Sequence, residues 1–116
     1  MILERKTESS AAPRIAAGTV QVRNVELASG DLKAGAVLGR LTSGGAFALS
    51  ASAASDGSQT PYVVLAHDAD ASSDPVEVTV IVAGPVKAEE LILGAGHDLG
   101  EVAWALRDVG IIVKGV

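Results

Sequence analysis

Few side chains in this sequence could carry out catalysis. The chain has two histidines, His67 and His97, and no cysteine. Nucleophilic catalysis needs a serine or cysteine beside a base, and no Gly-x-Ser-x-Gly motif marks a serine nucleophile. We therefore predict that the protein is not an enzyme. A small hydrolase remains an alternative, because the members of a Ser/His/Asp triad need not be close in sequence.

An acidic stretch after the first histidine resembles the start of a calcium-binding loop. Asp68, Asp70 and Asp74 stand at the first, third and seventh positions of such a loop. However, Ser73 occupies the place of the invariant glycine, and Thr79 occupies the place of the bidentate glutamate. We predict a solvated acidic loop and no metal site.

Two lysines raise the alternative of a carrier domain. Lipoyl and biotinyl barrels present a modified lysine at a hairpin tip, and residues 31–38 resemble their glycine-bounded strands. Lys33 lacks the expected neighbours, and Lys87 follows Pro85 in a poor position for such a tip. We predict no cofactor, and we keep a lipoyl/biotinyl-like carrier or small ligand-binding β barrel as the alternative function.

The composition limits the kinds of partner. A chain of 116 residues suits one domain. Its net charge of −5 and its three aromatic residues, one each of Phe, Tyr and Trp, disfavour nucleic-acid binding. The apolar runs are too short to span a membrane, and residues 1–6 lack the apolar core of a signal peptide. We expect synthesis in a cytoplasm.

The apolar content is high for so small a domain. Hydrophobic residues make up 48% of the chain, and the mean hydropathy is +0.37. Large exposed apolar patches usually mark interaction sites, but Ala, Val and Leu could also simply fill strands. Both interpretations are open at this point.

Short strands are the main elements that would position any site. The clearest is 76–82, where four valines alternate with Glu77, Thr79 and Ile81. Gly84 and Pro85 are expected to end it. Residues 28–35 and 67–75 are predicted as loops. The other predicted strands are 19–27, 36–42, 47–49, 62–66 and 111–113.

One helix is predicted near the C-terminus. Asp98 is placed to cap its N-terminus, with Glu101 completing a capping box. Val102, Leu106 and Val109 form an apolar stripe before a stop at Gly110. The fold class is therefore mainly β (α+β): a small compact β barrel or sandwich with one short C-terminal helix and an extended N-terminal arm.

Residues 1–18 form the predicted arm, and residues 19–116 form the β domain. The arm is charged and rich in hydroxyl groups, with no apolar period, so it cannot order itself by burial. It is either a frayed terminus or a segment that orders on a partner.

The order of motifs in the middle of the chain resembles the head decoration protein D family of lambda-like phages. The similar parts are residues 34–41, a Ser-Asp-Gly turn before the strand 62–65, the acidic loop, the valine strand and the ending 110–113. The resemblance covers residues 19–116, with the arm similar in character only. Each motif is weak alone, and the specificity lies in their order.

This resemblance implies a capsid-stabilising protein of the virion, made in the host cytoplasm. A homotrimer would bind the major capsid protein on the outer surface of the expanded head and oppose the pressure of packaged DNA. The arm would order on the capsid by adding a strand to the capsid protein. The candidate arm contacts are Leu3, Arg5, Thr7, Ser9, Pro13, Arg14 and Ile15.

Trp104 is a candidate contact with the trimer or the capsid. On a helix it would lie away from the stripe of Val102, Leu106 and Val109. Burial in the core is the more common state of an isolated tryptophan. A role in an interface is the alternative, because tryptophan is enriched among interface hot spots.

Overall fold

The computed structural model describes residues 15–115 of the chain. Eight strands and one α-helix, α1 (Leu99–Asp108), are present in this part, with a short 3-10 helix at Ala88–Glu90. The strands are β1 (Gln21–Leu27), β2 (Gly30–Leu32), β3 (Val37–Arg40), β4 (Phe47–Leu49), β5 (Val63–Leu65), β6 (Ala69–Ala71), β7 (Val76–Lys87) and β8 (Ile111–Lys114).

Five of these strands close into a barrel. Their order around the barrel is β1, β4, β3, β5 and β7, and β7 pairs again with β1. All neighbours are antiparallel except β1 and β4, which meet in parallel at Leu27 and Phe47. The predicted fold class, a mainly β barrel with one short helix, is confirmed.

The side-chain alternation of the strands divides the apolar residues between two clusters. In β5, Val63 and Leu65 point into the barrel, while Val64 points outward. In β7, Val78 and Val80 lie inside, and Ile81 lies outside. Both faces are apolar here because α1 covers the outer face, and this is why the strands carry near-continuous apolar runs.

The sequence signals for α1 are confirmed. The Asp98 side chain accepts a hydrogen bond from the backbone N–H of Glu101 at 2.9 Å, as an N-cap should. Val102 and Leu106 are fully buried against the outer barrel wall. Gly110 ends the helix with a φ of +98°, a value that favours glycine. The chain can then turn directly into β8.

The prediction that 28–35 and 67–75 are loops was wrong in part. Each contains a three-residue strand, and these strands, β2 and β6, form a separate antiparallel ribbon. Asp31 and Asp70 are opposite each other in its register. The sequence did not predict the ribbon because such short strands, with acidic residues at their centres, have the composition of loops.

The prediction that Gly84 and Pro85 end the valine strand was also wrong, since β7 continues to Lys87. Gly84 takes a φ of +109°, a conformation that bends the strand without steric cost. Pro85 lacks only its own N–H, and its carbonyl still accepts a hydrogen bond from the Ala17 N–H at 2.9 Å. Beyond this bend, β7 leaves the barrel and pairs in parallel with β8.

Candidate functional site

The described start of the chain is attached to the β domain. Ile15 is fully buried in the outer cluster, the apolar cluster between the barrel wall and α1 that contains Val64, Val102 and Leu106. Its carbonyl accepts a hydrogen bond from the Lys87 N–H at 2.8 Å. Ala16 forms an antiparallel bridge with Val86. Of the candidate arm contacts, Ile15 therefore packs into the domain. The others lie outside the described residues: Leu3, Arg5, Thr7, Ser9, Pro13 and Arg14.

Trp104 is exposed on the outer face of α1, with 68% of its surface accessible. Burial in the core, the more common state of an isolated tryptophan, is therefore wrong here. Val102 and Leu106 face the barrel, and a residue two positions away on a helix points about 200° around the axis. The Arg107 guanidinium lies 5.4 Å from the centre of the indole ring, within the range of a cation–π contact.

Trp104 borders a surface groove between α1 and β8, which we name the Trp104 groove. Its volume is about 420 Å³. The small residues Gly100 and Ala103 line its helical side, and Ile112, which is 42% exposed, forms part of its opposite side. Exposed apolar surface around a tryptophan is typical of a protein contact rather than of a polar ligand site.

A second recess lies at one end of the barrel, and the sequence analysis missed it. Its volume is about 670 Å³, and Arg23, Arg40 and Tyr62 contribute its polar groups. Arg23 shares its strand face with Val25 and Leu27, which pack in the interior. The signal was therefore present as an arginine at an inward-facing position of a strand. We name this feature the arginine recess.

The opposite end of the barrel is acidic. The β2–β6 ribbon follows the ends of β1 and β5 and carries Asp31 and Asp70. Hydrogen bonds from the hydroxyl and backbone N–H of Ser72 lower the pKa of Asp70, and the charge of Lys33 adds to this. Asp70 therefore stays ionised to a lower pH than an ordinary aspartate.

Ser50, His97 and Glu101 are arranged like the members of a catalytic triad. His97 Nε2 lies 3.1 Å from the Ser50 Oγ, and its Nδ1 lies 3.2 Å from a Glu101 carboxylate oxygen. However, Ser50 is fully buried, so a substrate could not reach its hydroxyl. Nε2 also lies 3.1 Å from the Gln59 carbonyl oxygen. The arrangement attaches the loop after β4 to the start of α1.

The other chemical candidates do not converge on a site. His67 lies exposed after β5, far in sequence from the His97 cluster. Lys33 follows β2 and Lys87 ends β7, so neither stands at the tip of a hairpin between barrel strands. Within residues 15–115, no group of three His, Cys, Asp or Glu side chains could hold a metal ion. No helix in the same part of the chain is long and apolar enough to cross a membrane.

The closed five-stranded barrel with one helix on its outer wall defines the class as a small β-barrel domain. The chain matches the family model of the bacteriophage lambda head decoration protein D over residues 5–112, and it belongs to this family. No curated protein matches the chain. The family assigns the protein to the capsid of a phage head as a structural component, in agreement with the resemblance drawn from the order of motifs.

Proposed function

We propose that this protein binds as a homotrimer to the outer surface of the expanded head and stabilises it against the pressure of packaged DNA. The observation that carries the proposal is the family match, which spans both the β domain and most of the N-terminal segment. The protein would be made in the host cytoplasm and join the head there. The major capsid protein would be its partner.

The Trp104 groove supports a contact with another protein surface. A trimer needs a heterologous interface, in which one patch of each copy meets a different patch of the next. A tryptophan with most of its surface exposed, beside a half-exposed isoleucine, gains most from such burial. We assign Trp104 to the trimer contact or to the contact with the capsid.

The attachment of Ile15 supports a role of the arm in transmitting mechanical force from the capsid to the β domain. Residues 1–14 would bind the capsid protein by strand addition, which uses main-chain hydrogen bonds. Ile15 and Ala17 join that segment to β7 through a buried side chain and two backbone hydrogen bonds. A force on the arm would therefore pass into the barrel wall. Three arms in a trimer would add avidity to a weak single contact.

The test is to mix the purified protein with expanded, undecorated heads and to image them. Full-length protein is compared with a deletion of residues 1–14, which keeps the buried Ile15, and with Trp104→Ala. Trimeric knobs at three-fold positions, lost or weakened by the deletion, are the expected result. Failure of the full-length protein to bind any head would overturn the proposal.

A further inference from the structure

Two arginines lie at inward-facing positions of the barrel, at the end that the ribbon leaves open. In β3, Arg40 is on the same strand face as Leu38, which points into the barrel. In β1, Arg23 is on the same strand face as Val25. Both residues are exposed, so their guanidinium groups lie at the rim of the barrel and not within its apolar interior. Both side chains border the arginine recess.

These arginines have no acidic partner in the described part of the chain. Neither guanidinium forms an ion pair with a carboxylate of residues 15–115. This is notable in a chain with a net charge of −5. The acidic residues Asp31 and Asp70 lie on the ribbon at the other end of the barrel. The loop of Asp56 packs against the backbone of Arg40 and Thr42, but the Asp56 carboxylate is bonded to Ser58. Both guanidinium groups are therefore open to an external anion.

The walls of the recess indicate which kind of anion fits. Val25, Phe47 and Val82 supply apolar surface beside the two guanidinium groups, and Tyr62 adds a phenol. The ring of Tyr62 is stacked on Phe47, with ring centres 6.1 Å apart, which fixes the position of its side chain. Guanidinium groups bind carboxylates through paired hydrogen bonds, and the apolar walls suit a short aliphatic stem.

The recess lies at the end of the barrel at which the N-terminal segment enters β1. β1 begins at the same end of the barrel at which Arg40 ends β3, since these strands run in opposite directions around the closed sheet. Ala17, just before β1, is bonded to Pro85 at this end. A partner that holds the N-terminal segment would therefore lie near the recess.

We propose that the arginine recess binds a glutamate or aspartate side chain on an acidic segment of the capsid protein. This inference rests on the proposed function, because it takes the capsid protein as the partner. The recess forms a second contact beside the arm and turns the arginine end of the barrel toward the capsid. The acidic ribbon then faces away from the capsid.

A purely structural role for the arginines makes a different prediction. Arginine stems often cover apolar surface while the charged group stays in water. In that case the recess would have no preference for carboxylates, and replacing Arg40 would affect only the packing at the barrel end.

The first experiment measures carboxylate binding by the isolated protein. The peptide acetyl-Ala-Glu-Ala-Glu-Ala-amide is titrated into labelled full-length protein, and the arginine Nε–H and valine methyl signals are followed by NMR. Saturable shifts of Arg23, Arg40 and Val82 are expected, and they should weaken as salt is added. A peptide with glutamine in place of glutamate should cause none. Equal shifts with both peptides would overturn the proposal.

Two variants that each remove one positive charge distinguish binding in the recess from a general effect of the net charge. Arg40→Gln should weaken peptide binding about tenfold or more, as the loss of a charge-assisted hydrogen bond implies. Lys33→Gln removes an exposed positive charge at the other end of the barrel and should leave binding nearly unchanged. Arg40→Lys should restore only part of the binding, because lysine lacks the planar pair of donors.

The second experiment uses expanded heads. If wild-type protein and Lys33→Gln decorate heads while Arg40→Gln does so about tenfold less tightly, the recess is a capsid contact. If all three decorate equally, the recess is not a capsid contact, although the decoration function stands. If the wild type decorates no heads, the proposed function itself fails, and the capsid protein is removed as the partner.

Discussion

Replacing Ile15 with alanine tests whether the β domain begins earlier than the sequence indicates. Ile15 is fully buried and packs in the outer cluster with Val86 and Ile111. Removing such a side chain costs the transfer energy of the lost carbons and the energy of the cavity, about 2–5 kcal/mol. The backbone hydrogen bonds of this segment remain in the variant, so the loss reports the side chain alone. Ile92→Ala is the matched control, because Ile92 is 41% exposed and does not line the Trp104 groove, and it should cost about 1 kcal/mol or less.

The assay is urea unfolding followed by circular dichroism. It should be run at several protein concentrations, because self-association would make the apparent free energy of unfolding depend on concentration. Deletion of residues 1–14 should leave Ile15 in place, whereas deletion of residues 1–18 should cost more than Ile15→Ala. The longer deletion also removes two backbone hydrogen bonds, each worth about 1 kcal/mol. A loss below about 0.5 kcal/mol for Ile15→Ala would refute the attachment of this segment to the domain.

Three further predictions concern the surface, the close packing and the titration of the domain. Trp104→Ala should weaken trimer formation or head binding at least tenfold, as for an interface hot spot, while the variant keeps its wild-type circular dichroism spectrum; unchanged sedimentation and unchanged head binding would contradict this. Gly39→Ala should largely prevent folding, because a Cβ atom there would lie 2.1 Å from the Ser58 carbonyl oxygen, whereas Gly44→Ala meets nothing within 4 Å and should fold, with about 1 kcal/mol of strain from its positive φ. The Asp56 carboxyl should titrate in NMR below 3.8, since hydrogen bonds from the side chain and backbone of Ser58 lower its pKa. Its stabilising effect is present above pH 3.8 and is lost as the pH falls through the lowered pKa. An unshifted titration, or one that Ser58→Ala leaves unchanged, would refute the assignment.

The barrel and the helix could be predicted because their signals are local. The alternation of valines and Ile81 in β7 gives the two faces of a strand directly, and the Asp98 cap lies within one turn of the residue that it binds. Strand order could not be derived in this way. The parallel meeting of Leu27 and Phe47, which closes the barrel, depends on the packing of all five strands.

The candidate sites were less predictable than the fold, for two physical reasons. Ile15 lies in a segment without apolar periodicity, so its burial depends on the bent end of β7 reaching it after Gly84. The alternation of Arg23, Val25 and Leu27 is visible in the sequence, but only the strand order brings Arg23 close to Arg40 at one end of the barrel, where both remain exposed. In both cases the decisive information is the position of a second strand, which a single sequence does not contain.

A closed barrel is well suited to transmit force between surfaces at different sites. Four of the five neighbouring strand pairs are antiparallel ladders, so a pull on one strand is shared by hydrogen bonds on both sides and leaves no barrel edge to open. The attachment of Ile15 to β7 connects the N-terminal segment to the strand that pairs with β1, β5 and β8. The Trp104 groove includes Ile112 of β8, which pairs with that same strand. A force applied through the arm would therefore reach the groove through a single strand, and the proposed trimer contact would share the load between neighbouring copies.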